Sequence, residues 1–308
     1  RSTPLRLAAV EALQACGDWS ISLQLLQQPD AQALAASANG QLLIARACVH
    51  TGQLAEAEQR IEALQQAADV DFAGNDADAM REYVLNTLGY RSGNIIDLRD
   101  ASKAQLEDAF GTERSYKGRL YDYVRADESD VIVFYSGHGV PGMSDKRGYL
   151  LAVDANPNRA ELTGYPVDVL LKNLAKVPAK SMMVFIDACF SGDSPKGMLV
   201  RATSGLTVKI TAPKKASDNM IVITAAEGDQ FASWDEDAKH GLFTKHLLEA
   251  LNGAADKHDK TGNKDGKVTL GEVKAYLDRE MTYQARRRFS RDQHATVSGD
   301  LKTVLSAY

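Results

Sequence analysis

The chain has 308 residues, 44% of them hydrophobic and 25% charged, with a net charge of −5; this is ample for a sizeable core and ordinary for a globular protein. The negative balance offers no basic field to nucleic acid, and no apolar run reaches the ~18 residues that a membrane helix needs, so neither nucleic acid nor membrane is an expected partner. The start lacks a basic-then-apolar export signal, which predicts a cytoplasmic protein. Three cysteines, Cys16, Cys48 and Cys189, are too few and too scattered for a disulfide framework or a zinc site. Cys16 and Cys48 fall in helical patterns and read as small buried apolar residues.

Residues 1–68 read as a helical region, rich in Ala, Leu and Gln, with apolar positions at helical spacing. Its turn signals at Gly17-Asp18-Trp19 and Gly52-Gln53-Leu54 lie 35 residues apart, close to the ~34-residue period of tetratricopeptide helix pairs. The unit from Leu42 to Leu64 resembles such a repeat better than the earlier one does, and a plain helical bundle is the competing reading. As a repeat-like region it would offer a surface to a regulatory protein.

From residue 69 to 308 the pattern alternates between strands and helices, which predicts an α/β fold with a mostly parallel sheet sandwiched by helices. In order, the spacing predicts a helix from Asn75-Asp76 to a stop at Gly89, a short strand over Asn94 to Leu98, and a helix from Lys103 to about Arg125 broken near Gly111. A buried strand then runs through Val131, Ile132, Val133 and Phe134. A short strand over Tyr149 to Val153, a helix over Val167 to Lys176, and a second buried strand through Met182 to Ile186 follow. A further strand covers Asn219 to Ala225, and late helices cover Leu242 to Leu251 and Thr269 to about Arg288. Residues 193–218 form a long stretch without strong period, which in a compact domain reads as a functional or disordered loop.

Each of the two buried strands ends in small residues around one reactive side chain. The first leads into Tyr135-Ser136-Gly137-His138-Gly139, the second into Asp187-Ala188-Cys189-Phe190-Ser191-Gly192. Chemistry in open α/β sheets gathers at the carboxyl ends of strands, so His138 and Cys189 are candidates for a base and its nucleophile. A thiolate attacks carbonyl carbon well, and an imidazole can take its proton and return it to a leaving amine. Backbone N–H groups at Gly139 and Cys189 are natural donors to an oxyanion. None of this chemistry requires a cofactor.

These motifs resemble the caspase-like cysteine peptidases, and among them the metacaspases and their bacterial relatives. The resemblance covers about 230 residues, from Phe72 to roughly Asp300. It includes Gly74-Asn75-Asp76-Ala77, Tyr149-Leu150-Leu151-Ala152-Val153-Asp154 and Gly241-Leu242-Phe243-Thr244 as well as the two strand ends. It implies His138 as catalytic histidine, Cys189 as nucleophile, and Asp76, Ser136 and Asp187 as the lining of the pocket for the residue before the cut. Two carboxylates in a partly dehydrated pocket attract Arg or Lys, with Arg favoured by bidentate bonding. A protein or peptide cut after Arg or Lys is therefore the expected substrate. Arg201, Lys214 and Lys215 in the long loop are candidate self-cleavage sites. The rival reading is a catalytically silent scaffold of the same fold, acting through protein binding to the helical region.

Two features depart from the family pattern. No segment between Gln65 and Phe72 can supply the first sheet strand that the resemblance implies. The acids through which some metacaspases bind calcium after the catalytic loop have no counterpart beyond Asp193. A separate calcium-loop pattern runs through Asn263, Asp265, Gly266 and Glu272, but its first position is Thr261, which leaves Asp259 as substitute. A plain turn before a helix is the competing reading there. The Arg286-Arg287-Arg288 run reads as a solvated helix end favoured by the helix dipole, with contact to an acidic partner as the competing reading.

Overall fold

The computed structural model describes residues 10–11, 13–27, 38–53, 55–56, 72–190, 193–194, 197–198, 216–226, 230, 232–235 and 237–308. The chain divides into two compact units, Arg1–Asp69 and Val70–Tyr308. The expected self-cleavage positions Arg201, Lys214 and Lys215, and residues 65–71 where a first strand was sought, lie outside the described residues.

In the first unit, helices α1 (Trp19–Leu26) and α2 (Ala38–His50) bury Leu23, Leu26, Leu43, Ile44, Ala47 and Cys48. Gly17 and Gly52 both have positive φ, +85° and +79°, so the two turn signals mark real chain reversals that glycine accommodates without strain. Cys48 is buried as its spacing suggests. Cys16 is exposed instead, because it sits in the turn with Gly17 rather than inside a helix.

The second unit is built on a four-stranded sheet. Strand β1 (Asp130–Ser136) carries two small strands after it, β2 (Gly139–Pro141) and β3 (Gly148–Leu150), which pair with each other, β3 pairing also with β4 (Tyr165–Pro166). β5 (Ser181–Asp187) then lies parallel to β1; past the short pair β6 (Asp193–Ser194) and β7 (Gly197–Met198), β8 (Met220–Thr224) lies parallel to β5. A hairpin of β9 (Trp234–Asp235) and β10 (His240–Gly241) precedes the late helices, and β11 (Lys267–Thr269) comes between two of them. β12 (Thr296–Ser298) closes the sheet antiparallel to β8, and β13 (Val304–Ala307) pairs with β11.

Helices cover both faces, and strand alternation decides which residue meets which. Met182, Val184 and Ile186 of β5 face α4 (Lys103–Phe110) and α6 (Val167–Leu174), packing with Leu106, Leu170 and Leu174. Phe185, with Ile221 and Ile223 of β8, faces the other way. It meets α3 (Ala73–Glu82), α7 (Leu242–Glu249), α8 (Leu270–Tyr276) and α9 (Thr282–Phe289). The helix boundaries follow local chemistry. Ser102 and Gln105 cap α4 reciprocally, as Thr269 and Glu272 cap α8. Gly111 ends α4 with φ +84°, and a Cβ there would fall 2.2 Å from the Ser115 carbonyl oxygen.

The expected helix over Lys103 to Arg125 is thus two helices, α4 and α5 (Arg119–Tyr123), parted at Gly111. The strand expected over Asn94 to Leu98 is absent. A single 3-10 turn at Ser92–Asn94 leads into extended chain, and no described strand takes the backbone of these residues. Ile95 and Ile96 are only half-buried, and Asp97 is drawn to Arg99 at 2.6 Å; two apolar residues do not outweigh unpaired backbone. Among the described residues no helix is long and apolar enough to cross a membrane.

Candidate active site

β1 and β5 pair over seven rungs, from Asp130 opposite Ser181 to Ser136 opposite Asp187. One further bond, from Gly137 N–H to the Asp187 carbonyl at 3.1 Å, carries the pairing past the strand ends. His138 stands two residues after Ser136, and Cys189 two after Asp187, so the register aligns the imidazole and the thiol at the same end of neighbouring strands. A one-residue slip would destroy that match.

The two loops touch. A Cβ on Gly139 would lie 2.6 Å from the Cys189 carbonyl oxygen and 2.7 Å from the Phe190 ring, so only glycine lets the His loop close on the Cys loop. Behind it, the His138 carbonyl accepts bonds from Tyr135 Oη at 2.8 Å and Leu151 N–H at 2.9 Å, which fixes the backbone carrying the imidazole. Gly139→Ala should therefore lower kcat by about tenfold or more while costing about 1–3 kcal/mol in stability, as overpacking does. Steady-state kinetics and thermal melting check this. An alanine variant with wild-type kcat would show that the loops need not touch.

Asp76, Ser136 and Asp187, spread over 112 positions of sequence, come together at the same strand ends. Asp76 is 1% exposed at the start of α3. Its Oδ2 accepts from Ser136 Oγ at 3.0 Å, its Oδ1 contacts His240 Nδ1 at 2.9 Å, and the Gly241 N–H reaches both oxygens at 3.0 and 3.2 Å. Asp187 is 5% exposed, and its Oδ2 accepts from Thr244 Oγ1 at 2.7 Å and Thr244 N–H at 3.2 Å. Gly241 lies between the two acids: a Cβ there would meet Asp187 Oδ2 at 2.3 Å and Asp76 Oδ2 at 2.9 Å. Burial pushes both carboxyls up, to about 7, and for Asp187 the neighbouring Asp76 charge adds to it. The result is a buried acid pair whose ionised form a neighbouring cation would favour.

The hairpin supplying Gly241 is held from below. Asp235, 1% exposed in β9, takes Lys245 Nζ at 2.8 Å and Arg288 at 2.5 Å. Arg288 also reaches Asp237 at 3.0 Å. The Arg286–Arg288 run is thus not simply a solvated helix end, since one of its members ties α9 to the hairpin.

On the thiol side, Cys189 is half-buried, and its Sγ accepts the Ala232 N–H at 2.8 Å. The groups that the sequence did not single out are Ala232, Ser233, His240, Gln293 and Arg291, all from the loops around the hairpin and β12. Gly241 and Thr244 stand in the noted Gly-Leu-Phe-Thr stretch, but as a helix opening rather than as pocket walls. A buried polar pair such as Asp187 with Thr244 leaves no periodic signal in sequence.

The residues of the calcium-loop pattern are placed apart from this site. Asp259 is 90% exposed by its side chain and pairs with Lys264 at 3.0 Å. Glu272 is occupied by the Thr269 cap and the Asn263 N–H, while buried Asp256 takes the N–H groups of Asp265 and Gly266 and the Tyr308 hydroxyl. The loop's own donors thus fill its carboxylates, and among the described residues no group of three or more His, Cys, Asp or Glu is placed to hold a metal ion.

Residues 63–299 match the family model of the caspase domain (Peptidase_C14). A crystal structure of caspase-1 from Spodoptera frugiperda is similar at a TM-score of 0.45 and 19% sequence identity, over 74% of this chain and 78% of that one. No curated protein matches. With a caspase-domain match running through the α3 acid, both reactive strand ends and the Gly241 hairpin, this chain belongs to the caspase domain family.

Proposed function

We propose that the protein is a cysteine endopeptidase that cleaves peptide bonds after Arg or Lys. The observation that carries the reading is the pair Asp76 and Asp187, buried side by side around Gly241 at the strand ends that bear His138 and Cys189. Cys189 Sγ, its proton passed to His138, attacks the carbonyl carbon, and an S–C bond forms as the carbonyl oxygen becomes an oxyanion held by the N–H groups of Gly139 and Cys189. The tetrahedral centre collapses as His138 protonates the leaving amine. Water, deprotonated by His138, then hydrolyses the acyl-enzyme and restores the thiol. A guanidinium beside Asp76 and Asp187 supplies the charge the buried pair needs to ionise, and Arg exceeds Lys because it offers paired donors.

The test is a panel of fluorogenic peptides with Arg, Lys or Asp before the leaving group, hydrolysed by wild type and Cys189→Ala, with intact mass measured on both proteins. The expected order is Arg, then Lys, with Asp at least about 100-fold slower by electrostatic mismatch. In the same reading Arg201, Lys214 or Lys215 is cut in the wild type and not in Cys189→Ala. Cleavage after Asp would overturn the pocket assignment. No cleavage of any peptide would favour the silent scaffold.

A further inference from the structure

A thiol at the end of a buried strand is a poor nucleophile unless something beside it stabilises its charge. Arg291, in the segment between α9 and β12, is a cation whose charge interacts favourably with that of Cys189. Its Nε donates to Ser233 Oγ at 3.1 Å. Ser233 is fully buried, and its N–H donates to Gln293 Oε1 at 2.8 Å. Gln293, also fully buried, donates from Nε2 to the Ala225 carbonyl at 3.0 Å, just past β8. This fixes the arginine to the sheet by a chain of three bonds. The residue before Ser233 is Ala232, whose N–H is the donor 2.8 Å from Cys189 Sγ. The guanidinium is thus anchored one residue along the chain from the group that touches the sulfur.

We propose that Arg291, held by Ser233 and Gln293, is a positioning residue that stabilises the Cys189 thiolate together with the Ala232 N–H. The cation favours the thiolate by its charge, and the N–H supplies the direct bond. Burial works against the charge of Arg291, while Cys189 favours it, so the two charged forms support each other. Among the described residues, the other titratable groups of these strand ends and loops are His138 past the end of β1, the Asp76 and Asp187 carboxyls at Gly241, and His294 next to Gln293. Next to Arg291, Asp292 is engaged by Arg286. The proposal rests on Cys189 as the reactive thiol and on no property of a peptide substrate.

The experiment is alkylation of Cys189 by iodoacetamide from pH 5 to 9, followed by mass spectrometry of its peptide, because exposed Cys16 also reacts. The thiolate displaces iodide and an S–C bond forms, so the rate follows the thiolate fraction. A rise of about one unit in the thiol pKa cuts that fraction about tenfold, and the greater nucleophilicity of the more basic thiolate returns part of it. Arg291→Gln should therefore alkylate about fourfold more slowly than wild type at pH 6 and as fast or slightly faster at pH 9, whereas Arg291→Lys should stay within about twofold of wild type throughout. Ser233→Ala, which frees the guanidinium without removing it, should slow the pH 6 rate about twofold and carries the test if Arg291→Gln does not fold. His138 is present in every variant, so the ratio of profiles isolates Arg291. A profile superimposed on wild type, or an equal loss at every pH, would overturn the assignment. Since no peptide is used, this result stands apart from the outcome of the substrate panel.

Discussion

Cys189→Ala should lower hydrolysis of an Arg peptide by at least about 10⁴-fold, with KM little changed, because the sulfur forms the bond on which the acyl-enzyme depends while the pocket acids stay in place. His138→Ala should cost about 10²- to 10⁴-fold in kcat, the usual worth of a positioned proton carrier. The double variant should be no worse than Cys189→Ala alone, since an imidazole without its nucleophile has nothing to activate. This follows from the register of β1 and β5, which sets the two residues at matching positions past Ser136 and Asp187. Stopped or steady-state assays on purified protein decide it. Residual activity within tenfold of wild type in Cys189→Ala would remove Cys189 from the reaction, and additive losses in the double variant would mean the two residues act separately.

The second large effect belongs to the pocket. Asp187→Asn should reduce kcat/KM for an Arg peptide by about 10²- to 10³-fold, the range for removing one partner of a desolvated charge pair. Asp76→Asn should cost less in kcat/KM and more in stability. Both Asp76 oxygens already take bonds from Ser136, His240 and Gly241, whereas among the described residues the Asp187 bonds fall on Oδ2 alone, leaving Oδ1 for a guanidinium. The pH dependence has a definite sign. Both carboxyls are raised by burial, to about 7, from the ordinary value of 3.8. The stability that the neutral pair contributes is fully present below about pH 4 and is lost as pH rises through about 7. Substrate runs the other way: the cation requires the ionised pair, so kcat/KM for Arg peptides should rise through about pH 7 and binding should release protons. Melting of the free protein should thus fall between pH 5 and 8.5 in wild type and less in Asp76→Asn/Asp187→Asn. A double variant with the wild-type slope would place the titration elsewhere.

The site was unevenly legible. His138 and Cys189 could be read because each ends a run of apolar residues, and the run itself states that a buried strand stops there. Asp76, Ser136 and Asp187 required the family resemblance, since an acid at the start of a helix reads equally well as a favourable dipole partner. Their meeting at Gly241 could not be read at all, for it depends on a hairpin whose position is set by Asp235 with Lys245 and Arg288. The strand expected over Asn94 to Leu98 was misread because Ile95 and Ile96 suggest burial that no neighbouring strand provides.

The sequence by itself determined the alternation of strands and helices, the strand ends that bear the imidazole and the thiol, and the negative charge available to a pocket. These are properties of short stretches, in which period and composition reflect one face meeting a core. Only the tertiary structure decided that the two acids share one buried space, that an arginine from beyond α9 is anchored to the residue next to the one whose N–H meets the thiol, and that Asp259 pairs with Lys264. Those relations join residues up to 165 positions apart through single hydrogen bonds and close contacts. Such contacts obey no period, and the chain shows them only once it has folded.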